Sequence, residues 1–186
     1  HTNDRRQRQM CIRDSSKSME RDETQTVKNL RECKILLDVL LKTHNGRIFN
    51  TAGDSVLAEF NSAVSAVECA TEFQKQLKKR NEFTKNNNAM EFRIGINMGD
   101  VVIEGEDLYG DGVNIATRLE ALAQPNGISI SKSIYELIYK KTSLEFNDLG
   151  IQQIKENSFH VYDIVLEPTQ KRNLKNKDNK KDKNVK

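Results

Sequence analysis

The sequence lacks the residue patterns that announce several common chemistries. Its three cysteines, Cys11, Cys33 and Cys69, form no CxxC pair and leave an odd count, which argues against a disulfide framework and a thiolate zinc site. The three histidines, His1, His44 and His160, have no i, i+4 pair, so a histidine metal centre or a Ser/His/Asp triad has little to rest on. No Walker loop and no GxGxxG is present, and a bound nucleotide would have its phosphates held by other means. There is no apolar run of about 18 residues and no charged stretch leading into an apolar signal core. The expectation is a cytoplasmic chain with no membrane partner within it. Only two prolines and 36% hydrophobic residues among 186 suit one compact α/β domain.

Net charge is +3, but it is unevenly placed. Pro168 to Lys186 holds eight Lys/Arg against two Asp, a balance of +6, which leaves −3 for everything before it. Residues 167–186 are therefore expected to be a basic, disordered linker or tail with too few apolar residues to fold. No aromatic residue interrupts those charges to stack on bases, so nucleic acid is not an expected partner.

Periodicity organises the middle of the chain. Val27, Leu30, Cys33, Leu37, Leu40 and Leu41 mark one face of an amphipathic helix, ended by Asn45-Gly46. Strands over 47–50 and 55–60 join across Thr51-Ala52-Gly53-Asp54 as a hairpin. Ala63, Val64, Ala66, Val67, Ala70, Phe73 and Leu77 give a second helix. Phe92, Ile94, Ile96 and Met98 then alternate as a strand. Val101 to Ile103 is expected to pair back through a Gly99-Asp100 turn. A helix over 112–123, a strand over 128–130, a short helix capped by Ser131 and a closing strand pair over 144–149 and 160–166 complete the order αββαββαβαββ. Hairpins interleaved with helices predict an α+β fold with helices packed on a mostly antiparallel sheet. A strand in front would complete a ferredoxin-like βαββαβ core.

Two segments carry candidate chemistry. In Asn50-Thr51-Ala52-Gly53-Asp54-Ser55 a carboxylate sits at the tip of a tight hairpin, where it can reach a hard cation or simply satisfy turn backbone groups. In Asp107-Leu108-Tyr109-Gly110-Asp111-Gly112-Val113-Asn114-Ile115-Ala116-Thr117-Arg118-Leu119-Glu120, residues Asn114 and Arg118 are four apart and share a helix face. A guanidinium suits phosphoryl oxygens and an amide can orient a ribose; on an exposed helix both are also ordinary solvated residues.

Taken in order with RIGINMGDVV from Arg93 and DLGIQQIK from Asp148, these segments resemble the class III nucleotide cyclase domain, and bacterial adenylate cyclases in particular. The resemblance covers roughly Ser16 to Leu166. It implies an adenylate cyclase that converts ATP to cyclic AMP and pyrophosphate for intracellular signalling. Two Mg²⁺ or Mn²⁺ ions activate the ribose 3′-hydroxyl in this family. The active unit is a homodimer whose sites combine residues of both subunits. Asp54 matches the second metal aspartate, Asn114 and Arg118 the pair that acts on the transition state, and Lys155 the lysine that contacts the triphosphate. Asp107 matches the adenine choice at one base-recognition position and argues against guanine. Asn50 stands at the other, where an amide can donate to and accept from a base edge.

The front of the chain departs from this pattern. The family opens with a strand bearing Phe-x-Asp-x-x-Gly and the first metal aspartate, and no such segment precedes Ser16. Met10 to Ser15, MCIRDS, resembles the translation of a transposase adapter used in sequencing libraries. Residues 1–15 are therefore expected to be non-native, residues 16–166 to be a cyclase domain missing its first strand, and the chain as written to be inactive. The alternative is a catalytically inactive, cyclase-like module that binds nucleotide or mediates dimerisation.

Overall fold

The computed structural model describes residues 5–14, 23–84, 89–104, 107–109, 111–154 and 156–174. Its elements run β1 (Arg5–Asp14), α1 (Glu23–Thr43), β2 (Gly46–Ala52), β3 (Ser55–Phe60), α2 (Ala63–Phe83), β4 (Phe92–Glu104), β5 (Asp107–Tyr109), α3 (Asp111–Leu122), β6 (Ile128–Ser131), α4 (Lys132–Ile138), β7 (Glu145–Ile154), β8 (Asn157–Val165) and a short 3₁₀ turn at Pro168–Gln170. The sheet order is β2-β3-β1-β4-β6-β8-β7, with β5 folded back on β4. All pairings are antiparallel except β4 with β6. The expected α+β architecture is what forms, and its first six elements make a βαββαβ core.

One expectation is overturned: the first strand is present. Residues Arg5–Asp14 lie between β3 and β4 and pair with both, Cys11 standing opposite Leu57 on one side and Gly95 on the other. The segment has only Met10 and Ile12 to offer the main core, and both are fully buried there. Gln9 and Cys11 point to the opposite face and are buried as well. Two apolar residues among ten give a weak strand signal, yet two flanking strands satisfy the backbone on both sides, which is what an interior strand needs.

A second correction concerns Gly99-Asp100. The chain does not turn there, because β1 holds Gly99 and Asp100 in register with Gln7 and Arg6. Extended β4 instead returns through β5, where Val102 faces Tyr109. The glycine serves close approach: a Cβ on Gly99 would lie 2.7 Å from Gly112 Cα of α3.

The sheet separates two apolar clusters. On one face α1, α2 and α4 pack over Met10, Ile12, Phe92, Ile94, Ile96, Ile128, Ile130 and Ile164. Cys33 and Cys69 sit buried in that layer as small helical core residues, and Phe73 meets Phe92 edge to face at 5.3 Å. Helix α2 starts at Ser62, whose hydroxyl accepts from the Ser65 amide. Helix α1 gives way at Asn45, which takes the left-handed conformation itself (φ 55°). On the other face α3 lies alone, with Leu119 against Leu149 and Val161.

The expected disordered tail is also corrected at its start. Residues 167–174 form a strap across the far end of α3. Arg172 reaches Asp163 on β8 with two nitrogens, at 2.7 and 3.2 Å, and gives a further hydrogen bond to the Leu122 carbonyl at 2.8 Å. Ser129 donates to the same carboxylate at 2.6 Å, Asn147 bonds the Arg172 carbonyl, and Leu174 packs on the α3 cluster. Specific polar bonds hold this hydrophilic stretch where apolar content could not.

Candidate functional site

The site is built where α3 crosses β1 and β4. Gly112, Ala116, Leu119 and Glu120 form the buried flank of α3, and the helix comes down almost onto the β4 backbone. A Cβ on Gly95 would meet the Ala116 carbonyl oxygen at 2.2 Å and the Glu120 amide nitrogen at 2.3 Å. Asn97 Nδ2 donates to the Gly112 carbonyl at 3.3 Å and secures the start of the helix. Asn114 is exposed and Arg118 half-buried. At 100° per residue both fall on the flank opposite the buried one.

The β2–β3 hairpin carries Asp54 at its tip, beside Gly53 in the left-handed conformation (φ 59°), as the turn signature predicts. Asp54 does not stand open. Arg13 on β1, in register with Ser55, donates from Nε to Asp54 Oδ2 at 3.1 Å. Beneath them lies Glu120, 2% exposed. Burial raises its carboxyl above the usual range, against the fields of Arg13 and Arg93. The Cys11 thiol, in the same layer, is pushed up to about 12 by burial, reinforced by Glu120, and stays protonated.

The remaining candidates are placed as follows. Asn50 is exposed on β2, at the bulge that follows Ile48 and opposite Leu57. Asp107 opens β5 opposite Glu104, and β5 lies close against β2, so the two base-recognition candidates sit on neighbouring strands. Among the described residues, neither Asn114 nor Arg118 makes a hydrogen bond or ion pair with Asp54. Lys155 lies outside the described residues. Arg13, Cys11 and Glu120 were missed by sequence reasoning; the alternation of Gln9, Cys11 and Arg13 with Met10 and Ile12 was the available signal.

The expected pair of divalent ions would rest on two carboxylates, with substrate phosphates supplying further oxygens. The β1 face turned toward α3 and the Asp54 hairpin offers Gln9, a protonated thiol and a guanidinium. Asp54 is a single carboxylate already engaged by a cation, and the buried Glu120 carboxyl lies beneath that ion pair. Among the described residues no three His, Cys, Asp or Glu side chains are arranged to hold a metal. The residues present do not fit a two-ion centre.

Comparison with known proteins agrees with the fold. The family model described as the adenylate and guanylate cyclase catalytic domain matches residues 10–165. The "Putative adenylate cyclase 3" of Rhizobium meliloti (strain 1021) is 43% identical over 150 residues, covering 79% of this chain and 26% of that protein. The chain thus spans about a quarter of the length of the curated cyclases it matches. Among solved structures, an adenylate/guanylate cyclase/hydrolase from Silicibacter pomeroyi superposes with a TM-score of 0.81 at 32% identity, covering 88% of this chain and 98% of that one. The adenylyl cyclase CyaB from P. aeruginosa shares the fold with a TM-score of 0.77 at 21% identity, over 91% and 98% of the two chains. No helix among the described residues is long and apolar enough to cross a membrane. The chain belongs to the adenylate and guanylate cyclase catalytic domain family.

Proposed function

We propose that this domain is of the adenylate cyclase type, drawing on the cytoplasmic ATP pool, with composite sites shared between two copies. The observation that carries this reading is the two-sidedness of α3. Its buried flank, ending in Glu120, faces Arg13 and Asp54, while Asn114 and Arg118 face away. Those two residues are turned from their own Asp54 and are available to a nucleotide held by a second copy. Asp107 beside the strand of Asn50 favours adenine over guanine, the amide of Asn50 completing the base contacts. Lys155 is assigned to the triphosphate.

The chain as it stands has no useful turnover on this reading, because the face of β1 turned toward Asp54 carries Gln9, Cys11 and Arg13 and no carboxylate. Residues 1–15 are held to be foreign to the domain. Sequencing the source DNA across the region encoding Ser16 tests this, and an upstream Phe-x-Asp-x-x-Gly strand in place of MCIRDS is the expected result. The purified chain with MnATP is expected to yield no cyclic AMP; product that disappears on Asp54→Ala overturns the inactive assignment. In a version carrying that upstream strand, mixing Asp54→Ala with Arg118→Ala chains restores part of the activity if sites are shared, and none if they are not.

A second reading, a nucleotide-binding or dimerisation module without turnover, is favoured by the Arg13–Asp54 pair. If MCIRDS proves native, this reading takes the lead, and calorimetry with ATP in the absence of metal is its direct measurement.

A further inference from the structure

We infer that in the chain as it stands, whatever the origin of residues 1–15, Arg13 occupies the metal position beside Asp54 and keeps divalent ions out of it. Two observations converge on this. Arg13 stands on β1 opposite Ser55, the first residue of β3, and Asp54 immediately precedes that residue in the hairpin turn, so the sheet register brings the two side chains to their 3.1 Å contact. The ion pair also belongs to a larger set. Arg13 and Arg93 act on Glu120, as does Asp54, so two cations stand beside two carboxyl groups. A divalent ion arriving at Asp54 meets a carboxylate with a guanidinium already on it, a second guanidinium nearby and a buried carboxyl that resists ionisation. Coulomb attraction for the ion is cancelled before it arrives, and hard cations find affinity in the number of charged oxygens offered.

Substituting Arg13 removes the guanidinium from Asp54 and leaves Arg93 and Glu120 in place. Arg13→Asp lowers the local charge by two and sets a second carboxylate opposite Ser55, beside the Asp54 turn. Arg13→Gln removes only the positive charge. Arg13 is 54% exposed and its side chain carries no core packing, so both variants keep the sheet.

The experiment is a titration with Mn²⁺ alone, followed by the electron paramagnetic resonance signal of the free ion. It reads binding and not turnover, so its failure is separate from failure of the cyclase reading. The unsubstituted chain is expected to show no binding that Asp54→Asn removes. Arg13→Asp is expected to bind at least about tenfold more tightly, Arg13→Gln to fall between, and Arg13→Asp with Asp54→Asn to lose the gain. Two results overturn the inference. One is Mn²⁺ binding by the unsubstituted chain that Asp54→Asn abolishes; the other is no tightening in either Arg13 variant. Circular dichroism melts of each variant confirm that folded protein is compared, and Arg13→Gln alone decides the matter if Arg13→Asp does not fold.

Discussion

Replacing Gly95 by alanine plants a methyl carbon 2.2 Å from the Ala116 carbonyl oxygen and 2.3 Å from the Glu120 amide nitrogen. Ordinary heavy-atom contact lies near 3.5 Å, so α3 must retreat from β4 by about 1 Å. The obstacle is helix backbone and cannot swing aside like a side-chain tip. A gap of about 1 Å forfeits a quarter to a half of the dispersion energy across that contact, and Leu119 is drawn away from Leu149 and Val161. Overpacking costs about 1–3 kcal/mol in typical cores, and an unyielding backbone places this case near 3 kcal/mol. Gly53→Ala is the matched control. Its Cβ meets nothing within 4 Å and only the left-handed conformation (φ 59°) is strained, a cost of about 1 kcal/mol. Urea unfolding followed by circular dichroism measures both. A loss at Gly95 no larger than that at Gly53 refutes the claim that backbone contact sets the height of α3.

Other outcomes follow from the same geometry. Arg172→Ala strands the Asp163 carboxylate, which is 8% exposed, and is expected to cost about 3 kcal/mol in urea unfolding. Lys171→Ala, which removes an exposed pair with Glu145, costs less than about 0.5 kcal/mol. Burial pushes the thiols of Cys11, Cys33 and Cys69 up to about 12, 11 and 12, so an aromatic disulfide reagent is expected to titrate none of them in the native protein at pH 8 and all of them in urea. Burial raises the Asp148 carboxyl, but the Gly150 amide and His160 more than offset it and the net displacement is downward. Its contribution to stability is therefore present above the usual carboxylate value of about 3.9 and lost as pH falls through the lower folded value. Asp148→Asn should accordingly destabilise at pH 6 and converge with the unsubstituted chain at the acid end of a melt series.

How far the sequence alone could be read depended on where each element's order comes from. The stripe of α2 and the alternation of Phe92, Ile94, Ile96 and Met98 were legible because each encodes its own buried face. The Asp54 hairpin was legible because glycine marks its left-handed residue. Strand β1 was not, since Arg5–Asp14 owes its place to neighbours on both sides and only Met10 and Ile12 betray the core face. Gly99 misled because glycine serves turns and close approaches alike, and nothing in the local sequence says that Gly112 will return to meet it. The strap at 167–174 escaped for a related reason. Arg172, Gln170 and Asn147 act through polar bonds to residues distant along the chain, which periodicity does not encode. Asn114 and Arg118 stand on the helix, and Asp54 at the hairpin, that the sequence indicated, but the engagement of Asp54 by Arg13 was not legible.

The strap has a mechanical meaning. Arg172 grips the last turn of α3 at the Leu122 carbonyl, and glycine contacts hold the same helix to β4 at Gly95 and Gly99. A rod pinned at its end and along its length cannot tilt independently of the sheet beneath it. Asn114 and Arg118 ride the free flank at a side-chain radius of about 5–6 Å. A roll of about 10° would carry them about 1 Å sideways, so the pinning fixes their position to within that distance. The strap thus fixes the far end of the helix whose other flank carries Asn114 and Arg118.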